Sequence, residues 1–486
     1  MTSAYEMVVG LEVHVQLATK TKLFCACPTG GFGEPPNSRI CPVCTGQPGT
    51  LPVLNEAAVD LAFQAALALG GRLAPFSTFA RKNYFYPDLP KAYQISQYER
   101  PFCDGGWLDI RTQTGEKRVR IRRIHLEEDA GKLLHAIGSR ELDHSLVDFN
   151  RGGVPLIEIV SEADIRGADE AAAYLTALKE ILQYAGVSRC DMEKGELRCD
   201  ANVSLRRSGS QELGTRAEIK NLNSVRAVKE ALEHESLRQA GLLDAGEFVV
   251  QETRLWDARR GETVAMRSKE EAHDYRYFPD PDLLPLAAAG RRVEELRACL
   301  PELPAARRAR FMSDYELSAY DAGILTAQRA LADYFEAAAR GQDRSAAKAA
   351  ANLIATELLA RLNAEDLRAA DIRLAPKELG ALSALVVQGK LSSKGAKAAF
   401  CALWESGGST AEVVERLGLA QVSDEARVRV WVQEALAANP RAVADYRSGE
   451  ERALGAIVGA VMKLSRGKAN PSVVNRLIME SISSSS

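Results

Sequence analysis

The clearest hydrophobic pattern near the start of the chain is a strict alternation of apolar and polar residues over positions 10–17. The apolar positions are Leu11, Val13, Val15 and Leu17. The polar positions between them are Glu12, His14 and Gln16. A period of two predicts a β-strand with one buried face, and it places Glu12 and His14 about 7 Å apart on the other face. Such a pair can bind one small cation, although an ordinary solvated strand face carries the same residue types.

Three later segments repeat this alternation, at positions 155–162, 197–206 and 215–222. Their polar positions mix acids with bases and comprise Glu158, Glu162, Arg198, Asp200, Asn202, Ser204, Arg206, Arg216, Glu218 and Lys220. A sheet face with both signs of charge suits a divalent cation together with a phosphate-bearing ligand. Carboxylate oxygens favour magnesium, and arginine side chains hold phosphate groups.

Four of the nine cysteines form two close pairs, Cys25 with Cys27 and Cys41 with Cys44. In a reducing compartment such pairs hold zinc more often than they form disulfides. Four thiolates fill a tetrahedral shell, so we expect a structural zinc ion in a hairpin over positions 25–44. The alternative is a redox-active pair of thiols.

Five aromatic residues lie between Arg81 and Tyr98, interleaved with the cations Arg81, Lys82 and Lys91. Two prolines exclude a continuous helix here. The rings either stack on a base while the cations contact phosphates, or they fill a core.

The segment from position 117 begins as a strand and ends with the acids Glu127 and Glu128. In a regular strand these two neighbours point to opposite faces of the sheet, and a β-bulge would reverse which of them points to which face. The alternation therefore leaves open which of them joins the polar face.

Length and composition limit the class of protein. A chain of 486 residues with a net charge of −3 has room for two to four domains and no overall basic field for nucleic acid. It has no apolar run long enough for a bilayer and no signal-peptide pattern, so we expect a cytoplasmic protein without membrane contact.

From Arg291 onward Ala, Leu, Arg and Glu recur at helical spacing. Residues 405–410 predict a break that supplies an N-cap for a helix beginning near Ala411.

Eight motifs distributed along the chain are long enough to compare with known families. They are Gly-Leu-Glu-Val-His-Val at 10–15, Arg-Lys-Asn-Tyr-Phe-Tyr-Pro-Asp at 81–88, Pro-Lys-Ala-Tyr-Gln-Ile-Ser-Gln at 90–97, His-Leu-Glu-Glu-Asp-Ala-Gly-Lys at 125–132, Leu-Arg-Cys-Asp-Ala-Asn-Val-Ser-Leu-Arg at 197–206, Glu-Ile-Lys-Asn-Leu-Asn-Ser at 218–224, Asp-Tyr-Arg-Tyr-Phe-Pro-Asp at 274–280 and Gly-Lys-Ala-Asn-Pro at 467–471. Together they resemble the B subunits of bacterial aspartyl/glutamyl-tRNA amidotransferase along essentially the whole chain.

This resemblance implies an ATP-dependent, glutamine-hydrolysing ligase that repairs misacylated tRNA. In the family, ATP phosphorylates the side-chain carboxylate of Glu-tRNA(Gln) or Asp-tRNA(Asn), and ammonia then amidates the acyl phosphate. Phosphorylation must come first because oxide is too poor a leaving group, and magnesium neutralises the triphosphate.

The family resemblance also implies an α+β fold in three parts. We expect an N-terminal cradle domain at 1–292, with the zinc hairpin inserted and an antiparallel sheet similar to that of glutamine synthetase. An all-α helical domain should follow at 293–406, and an α-helical YqeY-like tail that binds tRNA at 407–486.

Carried onto this sequence, the family's magnesium ligands are His14, Glu128 and Glu218, with Glu12 and Asp200 as further or water-mediated ligands. A histidine ligand also suits manganese. These five residues and Lys82 form the expected catalytic set. Lys82, Asn83 and Tyr84 are the implied contacts of the nucleotide or acyl phosphate. The candidates for tRNA phosphate contacts in the tail are Lys463, Arg466, Lys468 and Asn470.

The sequence contains neither a P-loop nor an amidase-type Gly/Ser-rich run with a catalytic lysine, so ammonia must come from another chain. The resemblance implies a glutaminase A subunit, a small C subunit and the charged tRNA as partners, and a non-discriminating aminoacyl-tRNA synthetase as a further one.

Two other classes of function remain open on the sequence. A tRNA-binding carrier module explains the tail but not the acidic and histidine residues of the strands. A glutamine-synthetase-like ligase acting on free amino acids explains those residues but leaves the tail unused.

Overall fold

The computed structural model describes residues 4–138, 140–266, 274–288, 290–422, 424–465 and 467–483. By its contacts the chain divides into two compact units, Met1–Leu303 and Pro304–Ser486. Within these described ranges no helix combines the length and the apolar character that a membrane span requires.

The first unit contains all the strands that the described residues form. They are β1 (Tyr5–Gln16), β2 (Arg72–Leu73), β3 (Phe76–Ser77), β4 (Ala80–Asn83), β5 (Tyr93–Ser96), β6 (Cys103–Asp104), β7 (Trp107–Thr112), β8 (Gly115–Glu128), β9 (Lys132–Ile137), β10 (Arg140–Asp148), β11 (Pro155–Ser161), β12 (Leu197–Arg207), β13 (Ala217–Leu222), β14 (Glu252–Asp257), β15 (Glu262–Ala265), β16 (Phe278–Pro279) and β17 (Leu286–Ala287). Its helices are α1 (Glu56–Ala68), α2 (Ala168–Tyr184), α3 (Val225–Asp244) and α4 (Gly290–Cys299).

In the described part of the first unit, ten strands form one sheet in the order β15, β14, β13, β12, β1, β11, β8, β6 and β2, with β7 paired to β8. Its ladders are antiparallel except between β13 and β14, which run parallel. Helix α3 lies between these two strands in sequence and provides the crossover that a parallel pair needs. The sheet is therefore mixed, which corrects the expectation of a purely antiparallel one.

Alternation along β1 is confirmed by burial. Leu11, Val13 and Val15 are at most 1% exposed and belong to a core that also contains residues of α1, α2 and α3. Burying such a side chain stabilises the fold by roughly 1.5–3 kcal/mol. The apolar face is thus covered, and Glu12 and His14 are held on the opposite face.

The second unit is helical. Its helices are α5 (Pro304–Asp314), α6 (Ala319–Thr326), α7 (Arg329–Ala339), α8 (Arg344–Leu353), a π-helix (Ile354–Leu358), α9 (Leu359–Ala364), a 3-10 helix (Ala369–Asp371), α10 (Pro376–Val387), α11 (Ser393–Ser406), α12 (Thr410–Arg416), α13 (Glu425–Ala438), α14 (Pro440–Arg447), α15 (Ala453–Leu464) and α16 (Pro471–Ser483).

The predicted break before α12 is confirmed. Ser409 caps the helix by accepting from the backbone N–H of Glu412, whose side chain reciprocally accepts from the N–H of Ser409. Val413 and Val414 pack in the same core as residues from Phe311 onward, and a separate core begins at Val428. The expected division at residue 406 therefore falls inside one core, because α12 completes that core.

Candidate functional site

A row of side chains crosses four adjacent strands on the polar face of the main sheet. On β8, β11, β1 and β12 the residues paired in register are His125, Glu158, His14 and Arg198. Residues directly opposite one another on antiparallel strands point to the same side and lie about 5 Å apart. The strand register alone therefore brings two histidines, an acid and a base together.

His14 lies at the centre of a group of carboxylates. Its Nε2 is 3.3 Å from Glu158 Oε2, 3.6 Å from Glu127 Oε1 and 3.7 Å from Glu12 Oε1. His125 Nε2 lies 3.2 Å from Glu127 Oε2 and 3.4 Å from Glu158 Oε2. Potential ligand atoms of Glu12, His14 and Glu158 all fall within 4.8 Å of one another, as do those of His125, Glu127 and Glu158. We call these five residues the His14 cluster.

The acids and histidines of the His14 cluster shift one another's pKa values. Although burial lowers it, the carboxylates of Glu158, Glu127 and Glu12 raise the pKa of His14 to about 9. Burial and the charge of Glu158 raise the pKa of Glu12. Burial acts in the same direction on Glu127, but the hydrogen bond and charge of His125 outweigh it and hold that pKa well below its usual range. A cation bound among these acids would relieve their mutual repulsion.

Glu127, and not Glu128, reaches His14. The β8 to β11 register runs without a bulge through Leu126, Glu127 and Glu128, so the two acids point to opposite faces. The Glu128 carboxylate lies 2.5 Å from Lys91 Nζ and accepts a hydrogen bond from the backbone N–H of Ile95. The structure thus places Glu127 beside His14, whereas the expected ligand Glu128 lies beside Lys91.

Asp200 and Glu218 lie on the same face, beside the His14 cluster. Asp200 is opposite Glu12 across β12 and β1. Lys220 Nζ lies 2.8 Å from Asp200 Oδ2 and 3.0 Å from Glu218 Oε1, and Glu218 also accepts from Thr253 at 2.8 Å. Although burial lowers it, Asp200 and then Glu218 raise the pKa of the Lys220 ammonium above its usual range. Two expected ligands therefore share a lysine in this structure.

A cavity of about 540 Å³ opens over this part of the sheet. Its lining includes His14, Glu127, Asp129, Arg198, Asp200 and Lys220 from the sheet region and Lys82, Tyr84 and Tyr275 from outside the main sheet. The volume falls in the range typical of small-molecule sites. Arg198 donates to Asp129 Oδ1 at 2.9 Å, which fixes the guanidinium at the cavity wall.

Of the three expected nucleotide contacts, Lys82 and Tyr84 line the cavity and Asn83 does not. Lys82 Nζ lies 4.8 Å from the centre of the Tyr275 ring. Asn83 donates instead to the backbone carbonyls of Tyr275 and Arg276. Neighbouring residues of a strand face opposite ways, so Asn83 fixes the segment that carries Tyr275.

Core filling does not account for the aromatic segment after β4. Phe85 is 92% exposed and Tyr86 is 43% exposed. Tyr84 stacks on Tyr86 with the ring centres 5.7 Å apart. Exposed rings beside a polar cavity remain available to a ligand.

The four paired cysteines converge on one point. The Sγ atoms of Cys25, Cys27, Cys41 and Cys44 all lie within 4.8 Å of one another. Ligands 2.3 Å from a tetrahedral zinc ion would be about 3.8 Å apart, so the group can close around such an ion. Hydrogen bonding from Cys25 lowers the pKa of the Cys44 thiol, and the buried Lys22 places its Nζ 3.6 Å from Cys44 Sγ.

The expected tRNA contacts lie in the second unit. Lys463 and Lys468 are exposed. Asn470 is half-buried, donates to the Gly389 carbonyl at 3.0 Å and accepts from the backbone N–H of Ser472, so its side chain serves packing. Arg466 lies outside the described residues.

The expected catalytic set lacked several residues that the structure adds to the site. They are His125, Glu127, Glu158, Arg198 and Lys220. Alternation had placed Glu158, Arg198 and Lys220 on a polar face, but only the strand order shows which polar residues become neighbours.

Comparison with known proteins gives a consistent result for both units. Residues 7–294 match the family model described as the GatB/GatE catalytic domain, and residues 333–482 match that of the GatB domain. The chain is 52% identical over 482 residues to the B subunit of the aspartyl/glutamyl-tRNA(Asn/Gln) amidotransferase of Brevibacillus brevis, covering 99% of this chain and 100% of the relative. The B subunits of the same name from Carboxydothermus hydrogenoformans and Geobacter sulfurreducens are 51% and 53% identical, each over 98% of this chain and 99% of the relative.

Proposed function

Because the chain belongs to the family of aspartyl/glutamyl-tRNA(Asn/Gln) amidotransferase B subunits, and so takes part in tRNA-dependent transamidation, we propose that the polar sheet face at His14 is where the aminoacyl group is activated and amidated. The observation that carries this proposal is the His14 cluster at the wall of a cavity large enough for a small molecule. The fold of the cradle sheet is proposed to be of the glutamine synthetase kind.

The reaction needs two chemical steps at one carboxyl group. A carboxylate oxygen of the glutamyl or aspartyl side chain attacks the γ-phosphorus of ATP, and ADP leaves. Ammonia then attacks the acyl carbon, and phosphate leaves with one of the two original carboxylate oxygens. Both steps gather anionic oxygens in a small volume, so the site must supply positive charge.

A divalent cation fits the His14 cluster. Glu12, Glu127 and Glu158 supply carboxylate oxygens around His14, and these three carboxylates raise the pKa of His14 against the effect of burial. Carboxylate oxygens suit magnesium, and the imidazole also suits manganese. When bound, the ion would neutralise phosphate oxygens and polarise the phosphoryl group. Asp200 and Glu218 are proposed as further ligands.

Cationic and aromatic side chains on the cavity wall are proposed to hold the ATP phosphates and the charged tRNA end. Burial lowers the pKa of Lys82, but the charges of Glu127 and the nearby tyrosines outweigh it, so the ammonium stays charged. It lines the cavity, where it can meet a phosphate group. The exposed Phe85 ring, three residues further along the chain, is available to stack on a terminal base.

The cysteine cluster is proposed to hold a structural zinc ion. Four thiols leave no open position for a substrate, and the buried Lys22 offsets part of their negative charge. Metal analysis of the purified chain should find about one zinc per chain, and a chain purified without zinc would contradict this proposal.

Transamidation also requires an ammonia source and a way to hold the tRNA. We assign ammonia production to a glutaminase A subunit, assembled with a small C subunit. The exposed Lys463 and Lys468 of the second unit are proposed to contact tRNA phosphates.

An ATP cleavage assay separates this function from its two alternatives. The purified complex is given ATP with either free glutamate, Glu-tRNA(Gln) or Asp-tRNA(Asn), and ADP is measured. We expect cleavage to rise only with a charged tRNA. Stimulation by free glutamate would favour a ligase acting on amino acids, and tRNA binding without any ADP would favour a carrier module.

A further inference from the structure

Lys220 bridges two acids on the polar face of the sheet. Its Nζ lies 2.8 Å from Asp200 Oδ2 and 3.0 Å from Glu218 Oε1. Ala201 pairs with Ile219 and Cys199 pairs with Leu222, so the register shifts between these two pairs, at the point where Asp200 meets Lys220. The ammonium thus extends the row that begins with Glu12 and Asp200.

This ammonium occupies the position that a divalent cation needs if it is to use Asp200 and Glu218. Each carboxylate offers hard oxygen ligands, and the Lys220 ammonium, with a charge of +1, already contacts both of them. Coulomb repulsion between an ammonium and a divalent ion about 5–8 Å away, screened by a water-like dielectric constant, weakens binding of the ion by several-fold to more than tenfold. Lysine and the ion therefore compete for the same two acids.

Lys220 can leave its carboxylate partners more easily than Arg198, which lies on the same face of the sheet. The Arg198 guanidinium is bound to the buried Asp129. The Lys220 side chain is 40% exposed and lines the cavity, and its partners Asp200 and Glu218 are 20% and 30% exposed. Partly exposed ion pairs of this kind are weak, and a four-carbon stem lets the ammonium swing away.

We propose that Lys220 is the counter-cation of the metal-free site, holding Asp200 and Glu218 until a divalent cation takes them and then turning its ammonium to the phosphoryl group in the cavity. This inference rests on the proposed function of the His14 cluster. It assigns Lys220 two successive anionic partners, first the carboxylates and then a phosphate-bearing substrate.

The test measures Mn²⁺ affinity by electron paramagnetic resonance on the purified complex without nucleotide. Lys220→Met removes the charge and keeps the length of the stem, and Lys220→Arg is the matched control that keeps the charge. We expect K220M to bind Mn²⁺ about tenfold more tightly than the wild type and K220R to stay within about twofold. Formation of amidated tRNA by K220M should fall at least about tenfold, even with Mn²⁺ saturating.

Equal or weaker Mn²⁺ binding by K220M would overturn the role of Lys220. If Lys220 only stabilised the fold, its replacement would lower both Mn²⁺ affinity and formation of amidated tRNA. Higher Mn²⁺ affinity together with lower activity is therefore the distinguishing result. His14→Ala reports separately on the proposed site. If H14A loses Mn²⁺ binding while K220M matches the wild type, the inference about Lys220 fails alone. If H14A binds Mn²⁺ normally, the proposed metal site fails. Lys220→Gln gives the same readout should K220M prove unstable.

Discussion

His14 is surrounded by acids that favour its protonated form. The carboxylates of Glu158, Glu127 and Glu12 raise its pKa to about 9 against the effect of burial. A histidine that binds a metal ion must be neutral. An ion bound at the proposed site would therefore have to displace a proton from His14.

The raised pKa of His14 predicts that divalent cation binding depends on pH. Below about pH 9 the ion must displace the proton, and this competition weakens as the pH rises. We expect Mn²⁺ affinity to increase by up to about tenfold per pH unit between about pH 7 and 9 and to level off above that. Titration calorimetry in buffers of different ionisation enthalpy measures the released proton directly. An affinity independent of pH over this range would contradict the account of His14.

Glu127 and Glu128 offer a matched test because they are neighbours on opposite faces of β8. Glu127→Gln removes a charge next to His14, whereas Glu128→Gln removes one next to Lys91. We expect Mn²⁺ affinity to fall at least about tenfold in E127Q and to change by less than about twofold in E128Q. The reverse order would restore Glu128 as the ligand.

Residues of β1 and β8 show what the alternation of apolar and polar residues can and cannot predict. Alternation in β1 correctly predicted that Glu12 and His14 share a face opposite the core. It did not decide whether Glu127 or Glu128 lies on the polar face, because the alternation does not reveal whether a strand contains a bulge. The family resemblance favoured Glu128, and the continuous register of β8 places Glu127 at His14 instead.

At the scale of elements, the helical unit contains a close approach between α7 and α10. Gly380 of α10 packs against α7, and a Cβ atom added there would lie 2.3 Å from the Ala338 carbonyl oxygen. The nearest atoms belong to the backbone of α7, which cannot move aside as a flexible side chain could.

Gly380→Ala should therefore destabilise the helical unit by roughly 1–3 kcal/mol, because α7 and α10 must separate. Gly323→Ala in α6 is the control, since a Cβ there would meet no atom within 4 Å. That change should be neutral or should stabilise by up to about 1 kcal/mol, because alanine favours the helix. Chemical denaturation of the full chain measures both changes, and equal stabilities of the two variants would contradict this packing.

Elements with strong local signals were predictable from the sequence, and those set by long-range pairing were not. Alternation predicted β1, β11, β12 and β13, and the cap at Ser409 marked the start of α12. The parallel pairing of β13 with β14 depends on the path of α3, which no local pattern contains. Likewise, Val413 and Val414 join the preceding core through contacts distant in sequence.

At the scale of the whole molecule, each unit has features suited to a different part of one reaction. The first unit contains the acids, the histidines and the cavity. The second unit is helical and carries exposed lysines near its end. A net charge of −3 gives no general attraction to tRNA, so binding must rely on such local cations.

The central claim is that the His14 site activates the aminoacyl carboxylate by phosphorylation. The most direct measurement uses Glu-tRNA(Gln) or Asp-tRNA(Asn) labelled with ¹⁸O in both side-chain carboxylate oxygens, in a single turnover with ATP and glutamine. Mass spectrometry of the released phosphate should find one ¹⁸O atom per amidated tRNA with the wild type. With His14→Ala the labelled phosphate should disappear while glutamine hydrolysis by the glutaminase continues. Unlabelled phosphate from the wild type, or undiminished label from H14A, would contradict the account.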